Sequence, residues 1–444
     1  MPASVAYRGT VLLIWALAAL DTLVCRGLFW DGSAFLAKIL EQGTFHDFYP
    51  ARAHVAWLTQ APVLLLAKAG VRDVHLLAIV YSAMLFGVPA ALYHLALARV
   101  RDRGALLAAM IAVVALVYLP TSFFIIGEYN VAYAAVAATF AVALTRGAAE
   151  TRDSVLMLVL GLVCIASYEA MLYLGPISAG VILWSARARR DPFALCAALA
   201  FFASAVVAAN TTVEYWNHDH FVRVRIAAFD FWQNLQFVVP LVGLALTALA
   251  ALLRPAWLAG RGPIFIAAAT GLVLAATPLF RLISDPEAMV FPPAHYVARS
   301  AAGGLLAALL LASWLHVAWP KPGLALLAAL HQKVVARRLA TAMFILLVAG
   351  LVPDLMLTRL WVDHLAWFRD VVTGQRGVVA AESLGMRQWP RRLFAQEWTY
   401  PALSVLLHDS PGQAIVVAPN DYTSNRPFDP NCGTVPRIDG YRWR

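Results

Sequence analysis

Long apolar runs separated by short polar connections make up most of this chain, and that alternation decides its fold class before any motif is weighed. An α-helix rises 1.5 Å per residue, so crossing a hydrocarbon layer takes roughly 20 apolar residues in a row. Eleven stretches meet that requirement: 9–29, 74–98, 104–123, 130–146, 154–173, 175–188, 192–210, 234–253, 263–280, 300–319 and 339–358. A twelfth, 54–70, is short and contains Gln60, Pro62 and Lys68. With 61% hydrophobic and 13% charged residues, against about 25% charged in soluble domains, the chain is expected to be an all-α polytopic membrane protein of about eleven transmembrane helices. The first run has no basic leader or small-residue cleavage site and reads as a retained span. The net charge of +9 comes from clusters between the runs, not from one continuous face, which argues against nucleic acid and marks topology instead.

Orientation follows from where those clusters fall. If 54–70 does not cross, the connections "RVRDR", "RGAAETRD", "SARARRD", "RPAWLAGRG" and "HQKVVARR" all lie on one side together with Arg8. The positive-inside rule makes that side cytoplasmic. The segment 54–70 is therefore expected as an interfacial or re-entrant helix on the outer face of a plasma membrane, and the Ala and Arg richness fits a bacterial one. The polar-rich connections then face outward: 30–73, 121–130, 210–234, 281–300 and the tail. This divides the chain into a transmembrane domain, 1–358, with a first outer loop over 30–73, and a small extracytoplasmic α/β region, 359–444. Within that region "LAWFRDVV" and "YPALSVLLHD" read as helical and "QAIVVAP" (413–419) as a strand. Cys25, Cys164, Cys196 and Cys432 are too scattered for a disulfide framework or a metal site.

The densest early polar chemistry follows the first run, in "FWDGSAFLAKILEQGTFHDFYPARAH". Residues 33–42 read as an amphipathic helix lying on the membrane, with Phe35, Leu36, Ile39 and Leu40 on one face and Lys38, Glu41 and Gln42 opposite. Asp31 precedes it, either as an N-cap or as a catalytic carboxylate that also caps. Gly32 permits close approach to the backbone, and His46, Tyr49, Arg52 and His54 follow in the same loop.

Acids at the edges of apolar runs form a second set, because ionisable groups in a membrane tend to face a cavity or a partner. Glu128, beside Tyr129, and Glu169, four residues before Tyr173, stand at outer ends, either as ligand-binding groups or bonded to neighbouring helices. Asp21 and Asp354 also lie in runs, Asp21 within reach of Arg26. A third set is cationic: His218, His220, Arg223 and Arg225 in one outer connection, and Arg281, His295, Tyr296 and Arg299 in another. Arg suits phosphate through paired hydrogen bonds, although Arg, Trp and Tyr also anchor helices at headgroup depth. "HDH" alone is a weak zinc signal, so no metal is expected. No Walker loop, dinucleotide fingerprint, nucleophile elbow or H-E-x-x-H occurs.

On "WDG" with Asp31, the "SAFLAKILEQ" helix, the 54–70 segment and the tail after Trp361, the chain resembles the GT-C superfamily of integral membrane glycosyltransferases. That resemblance implies a polyprenyl-phosphate-linked sugar as donor, a glycan, lipid or protein acceptor, and no cofactor. Asp31 would be the general base; Arg223, Arg225, His218 and Arg281 would bind the donor phosphate. His46, Tyr49, Arg52, His54, Glu128, Tyr129, Glu169, His220, His295 and Tyr296 would line the substrate site. The chain departs from better known members in having Asp-Gly where many show paired acids, and in its small tail. A lipid or solute transporter or flippase is the alternative from another class, with His94 and His316 toward the inner side; an assembly protein is a third.

Overall fold

A computed structural model describes residues 1–46, 50–123, 128–146, 151–187, 191–217, 222, 226, 228–284, 292–319, 325–386, 388, 390–394, 396–418 and 435–444, without the side chains of 50, 279–284, 292–294, 296, 325–327 and 397. Its helices are α1 (Ala3–Leu23), α2 (Asp31–Gln42), α3 (Ala53–Lys68), α4 (Val74–Val100), α5 (Gly104–Val113), α6 (Glu128–Thr145), α7 (Thr151–Cys164), α8 (Met171–Ala186), α9 (Pro192–Glu214), α10 (Leu235–Leu253), α11 (Gly262–Ser284), α12 (Pro292–Ala318), α13 (Ala325–Leu330), α14 (Lys333–Gly374) and α15 (Tyr400–Leu406). Among the described residues, seven helical stretches are long and apolar enough to cross a membrane: α1, α4, Gly104–Thr121, α9, α10, the Val297–Ala318 part of α12, and α14. Helix α8 and Gly262–Pro278 of α11 are shorter apolar helices. The chain is an all-α membrane protein.

Local sequence explains several helix starts. Asp73 accepts hydrogen bonds from the N–H groups of His75 and Leu76 at 2.9 and 3.3 Å, beginning α4. Asp191 does the same for Phe193 and Ala194 before α9, where Pro192 occupies the first turn. Asn234 caps α10 by accepting from Phe237 at 3.0 Å, while its amide donates to the Pro120 carbonyl at 2.7 Å. Helix α5 tightens and loosens before it ends, passing through a π-helical turn (Val114–Tyr118) and a 3-10 turn (Leu119–Thr121).

The bundle is built around α6, buried from Glu128 to Leu144 on every side. Its Ala-rich sequence allows this, because small side chains let neighbouring helices approach closely where no hydrophobic effect drives them together. Polar links tie the two ends of the bundle. At one end Arg103 donates to the Leu144 and Thr145 carbonyls, Arg99 pairs with Asp153, and Arg146 pairs with Asp191. That end gathers three of the expected basic connections. At the opposite end Arg52 meets Glu128 and Glu169, and the His54 N–H donates to the Ala166 carbonyl.

Beyond the bundle, β1 (Val378–Ala380) and β2 (Ile415–Val417) pair in parallel, Val379 opposite Val416. The strand expected at 413–419 is therefore present, with a partner that carried no periodic signal. The last residues fold back onto α4: Val74 N–H donates to the Arg442 carbonyl at 2.8 Å, and the Trp443 and His75 rings stack at 4.6 Å.

One expectation is corrected. Helix α2 presents little of its polar face to solvent: Gly32 through Leu40 are all buried, Lys38 included, and only Glu41 and Gln42 at its end reach the surface, because α15 and the C-terminal region cover it. Lys38 keeps its charge countered by Glu41 at 3.0 Å. The helix expected over "LAWFRDVV" is present, as the continuation of α14, which runs unbroken through 358 to Gly374.

Candidate functional site

Asp31 opens α2 and is half-buried. The cap position is held by Trp30, at φ 49° and ψ −125°, a left-handed backbone that a bulky residue adopts only under strain. The Gly32 and Ser33 N–H groups donate to the carbonyls of Phe29 and Trp30, each at 3.1 Å, and the Ser33 N–H is one of the donors that an Asp31 cap would serve. Gly32 is required for a different reason from the one expected: a Cβ there would lie 1.9 Å from the Gly27 carbonyl oxygen, so its bare backbone admits Gly27 rather than a ligand. Gly27 in turn donates its N–H to Ser82 Oγ at 3.1 Å on α4. Asp31 is thus fixed by backbone against α4, where a Cβ on the next residue, Gly32, would lie 3.8 Å from the Tyr81 ring.

Glu128 belongs to a cluster that the sequence named one residue at a time. The Arg52 guanidinium donates to Glu128 Oε2 through Nη1 at 2.8 Å and to Glu169 Oε1 through Nη2 and Nε at 2.7 and 3.0 Å. Arg299, 3% exposed, adds a second cation within electrostatic range of Glu128. The Tyr168 ring lies near both guanidiniums, 5.6 Å from Arg52 and 5.7 Å from Arg299. Tyr129 and Tyr133 complete an aromatic wall, their rings 5.6 and 6.0 Å from that of Tyr168. Tyr133 donates to the Arg299 carbonyl at 2.9 Å and Tyr129 to the Thr121 carbonyl.

A second buried network lies beside Phe29. Arg26 donates to Asp21 at 2.7 Å, to both oxygens of Asp354 at 3.3 Å, and to Thr358 at 3.0 Å, while Ser122 donates to Asp354 at 3.4 Å. The Phe123 ring covers this guanidinium at 4.1 Å and meets Phe29 edge-on at 5.2 Å. His295, fully buried, belongs here and not with Arg52: its Nδ1 accepts from the Phe123 N–H at 3.3 Å, which places any ring proton on Nε2.

The remaining expected site residues are dispersed. His46 is held through its backbone, its N–H and carbonyl both bonded to the Gln60 amide at 2.8 and 2.7 Å. His54 stitches α3 to the end of α7, Nδ1 lying 2.7 Å from the Leu162 carbonyl. Tyr49, His218, His220, Arg223 and Arg225 fall outside the described residues, as do the side chains of Arg281 and Tyr296. Tyr81, Tyr133 and Tyr168 were missed; only Tyr168, directly before Glu169, carried a signal that could have found it. Among the described residues no group of three or more His, Cys, Asp or Glu is arranged to hold a metal ion.

Comparison of the chain with protein-family models, with curated proteins and with solved structures finds no match.

Proposed function

We propose that the chain is a membrane glycosyltransferase of GT-C-like, roughly eleven-span architecture, moving a sugar from a polyprenyl-phosphate donor to an extracytoplasmic acceptor. The observation that carries this reading is the placement of Asp31. It is a half-buried carboxylate on a strained, glycine-packed turn whose next residue, Gly32, lies against Tyr81 of α4. A lipid-linked donor suits such a site because its chain dissolves in the bilayer while its phosphate stays at the boundary.

In the proposed step Asp31 removes the proton from an acceptor hydroxyl. The hydroxyl oxygen forms a bond to the anomeric carbon as the bond from that carbon to the phosphate oxygen breaks. The phosphate leaves with the electron pair, and configuration inverts. A positioned base of this kind contributes about 10² to 10⁴ in rate. Arg223, Arg225, His218 and Arg281 remain the proposed holders of the phosphate charge.

The test is transfer of labelled sugar from polyprenyl phosphates by the purified chain and by Asp31→Asn. The variant should lose turnover while folding and binding donor like the parent. Transfer at the parent rate would remove Asp31 from the chemistry. A transporter is the second reading, favoured by a cavity at the basic end of the bundle; it predicts solute crossing a vesicle membrane with no sugar bond broken.

A further inference from the structure

The basic end of the bundle holds a cavity of about 440 Å³ between the ends of α1, α5, α12 and α14. Its lining includes Arg103, Lys333, Arg337, His316 and His331, and the carboxylate among them, Asp102, is already paired with Arg101 at 3.2 Å. The cations are not consumed by the fold. Arg103 points its guanidinium at the neutral Leu144 and Thr145 carbonyls, 2.7 and 3.3 Å away, which orient it without cancelling its charge. Lys333 and Arg337, one turn apart at the start of α14, are exposed and have no ion-pair partner among the described residues. The His316 and His331 rings stack at 4.0 Å, and His316 Nδ1 is buried with no hydrogen-bond partner among the described residues.

A concave space of this size, rimmed by Arg and Lys at the ends of apolar helices, matches the headgroup of an anionic lipid in volume and charge. Arg offers paired donors to phosphate oxygens, Lys adds a point charge, and an imidazole N–H completes the set. We propose that this cavity binds a phosphate group, carried by an anionic phospholipid of the leaflet at the basic end. The site is separate from Asp31 and stands whether or not the chain transfers sugar.

The test uses the full chain purified in a neutral detergent, with native mass spectrometry reading retained lipid and thermal unfolding reading stabilisation. The probes are phosphatidylglycerol, phosphatidylcholine and inorganic phosphate. Phosphatidylglycerol should be retained over phosphatidylcholine and should raise the unfolding temperature. Lys333→Ala with Arg337→Ala should weaken its binding by about fivefold for each cation removed. Arg254→Ala, which takes an exposed cation from the same end outside the cavity, should leave binding unchanged. Inorganic phosphate stabilising the parent but not the double variant would equally support the site and identify free phosphate as its source. Equal retention of the two lipids with no response to phosphate, or equal loss in Arg254→Ala, would overturn the proposal.

Discussion

Arg52 and Glu169 meet through two hydrogen bonds, Nη2 and Nε to the same Oε1, across 117 residues of chain, and Glu128 takes the third guanidinium donor. One cation thereby satisfies two carboxylates with side-chain exposures of 4% and 18%. Removing it leaves both in a poorly solvating site, so Arg52→Ala should cost about 3–5 kcal/mol, the range for breaking a buried pair by removing one partner. Arg52→Ala combined with Glu128→Gln and Glu169→Gln should recover part of that loss. Unfolding in detergent checks both; equal stability of the single and triple variants would show that charge is not what the cluster balances.

Gly32→Ala forces its new methyl into the Gly27 carbonyl. The clash is with backbone, which cannot rotate away, so α2 must shift and Asp31 with it. A loss at the upper end of the about 1–3 kcal/mol typical of overpacking is expected, read as a lower unfolding temperature. Gly43→Ala, with no atom within 4 Å but φ +64°, should cost about 1 kcal/mol from backbone strain alone.

Asn234→Ala removes a cap from α10 and the amide that bonds the Pro120 carbonyl. A lost cap costs about 1 kcal/mol, and an orphaned buried carbonyl adds about 1–3 kcal/mol. Asn234→Asp should keep the cap but lose the bond to Pro120, falling between parent and Ala in an unfolding series.

Acid should release the C-terminal segment in two stages. Burial holds the His408 imidazole below its ordinary value, although its ring lies 3.1 Å from the Ala414 carbonyl. The unfolded state therefore takes up the proton first, and stability is full above about pH 6.5 and falls as pH drops through that region. For Glu41 burial works to raise the value, but the Arg437 N–H at 2.9 Å and Lys38 together hold it lower than usual. Its contribution persists through the first stage and is lost only as pH falls through the carboxylate range. Hydrogen exchange checks the order: the Trp443 amide, which donates to the His408 carbonyl, should lose protection before the Arg437 amide.

Apolar periodicity made the bundle legible because each run is a local property: the run 130–146 became Glu128–Thr145 and 192–210 became Pro192–Glu214. It failed where a helix leaves the apolar layer. Past Asp354, Arg359, Asp363 and Arg369 break the apolar signal while the backbone continues helical to Gly374. The site was legible as residue types but not as partners. Arg52, Glu128 and Glu169 each drew attention as polar groups in apolar surroundings, yet their mutual neutralisation depends on three loops meeting. The Asp21–Arg26 link was readable from five-residue spacing; Asp354, 328 residues from Arg26, was not. The strain at Trp30 has no sequence signature, since a left-handed Trp is held there by its surroundings.

Helix α14 begins with Lys333 at the lip of the basic cavity, carries Asp354 to Arg26 at mid-length, and presents Trp361 to Phe29 at 5.8 Å, two residues before Asp31. Its 42 residues make a rod about 63 Å long. Pro353 withdraws one rung of its ladder, and Gln236 donates to the Gly350 carbonyl in that turn at 2.8 Å. One helix therefore joins the cavity, the Arg26 network and the turn that carries Asp31, and a substitution at any of the three contacts acts on a single shared element.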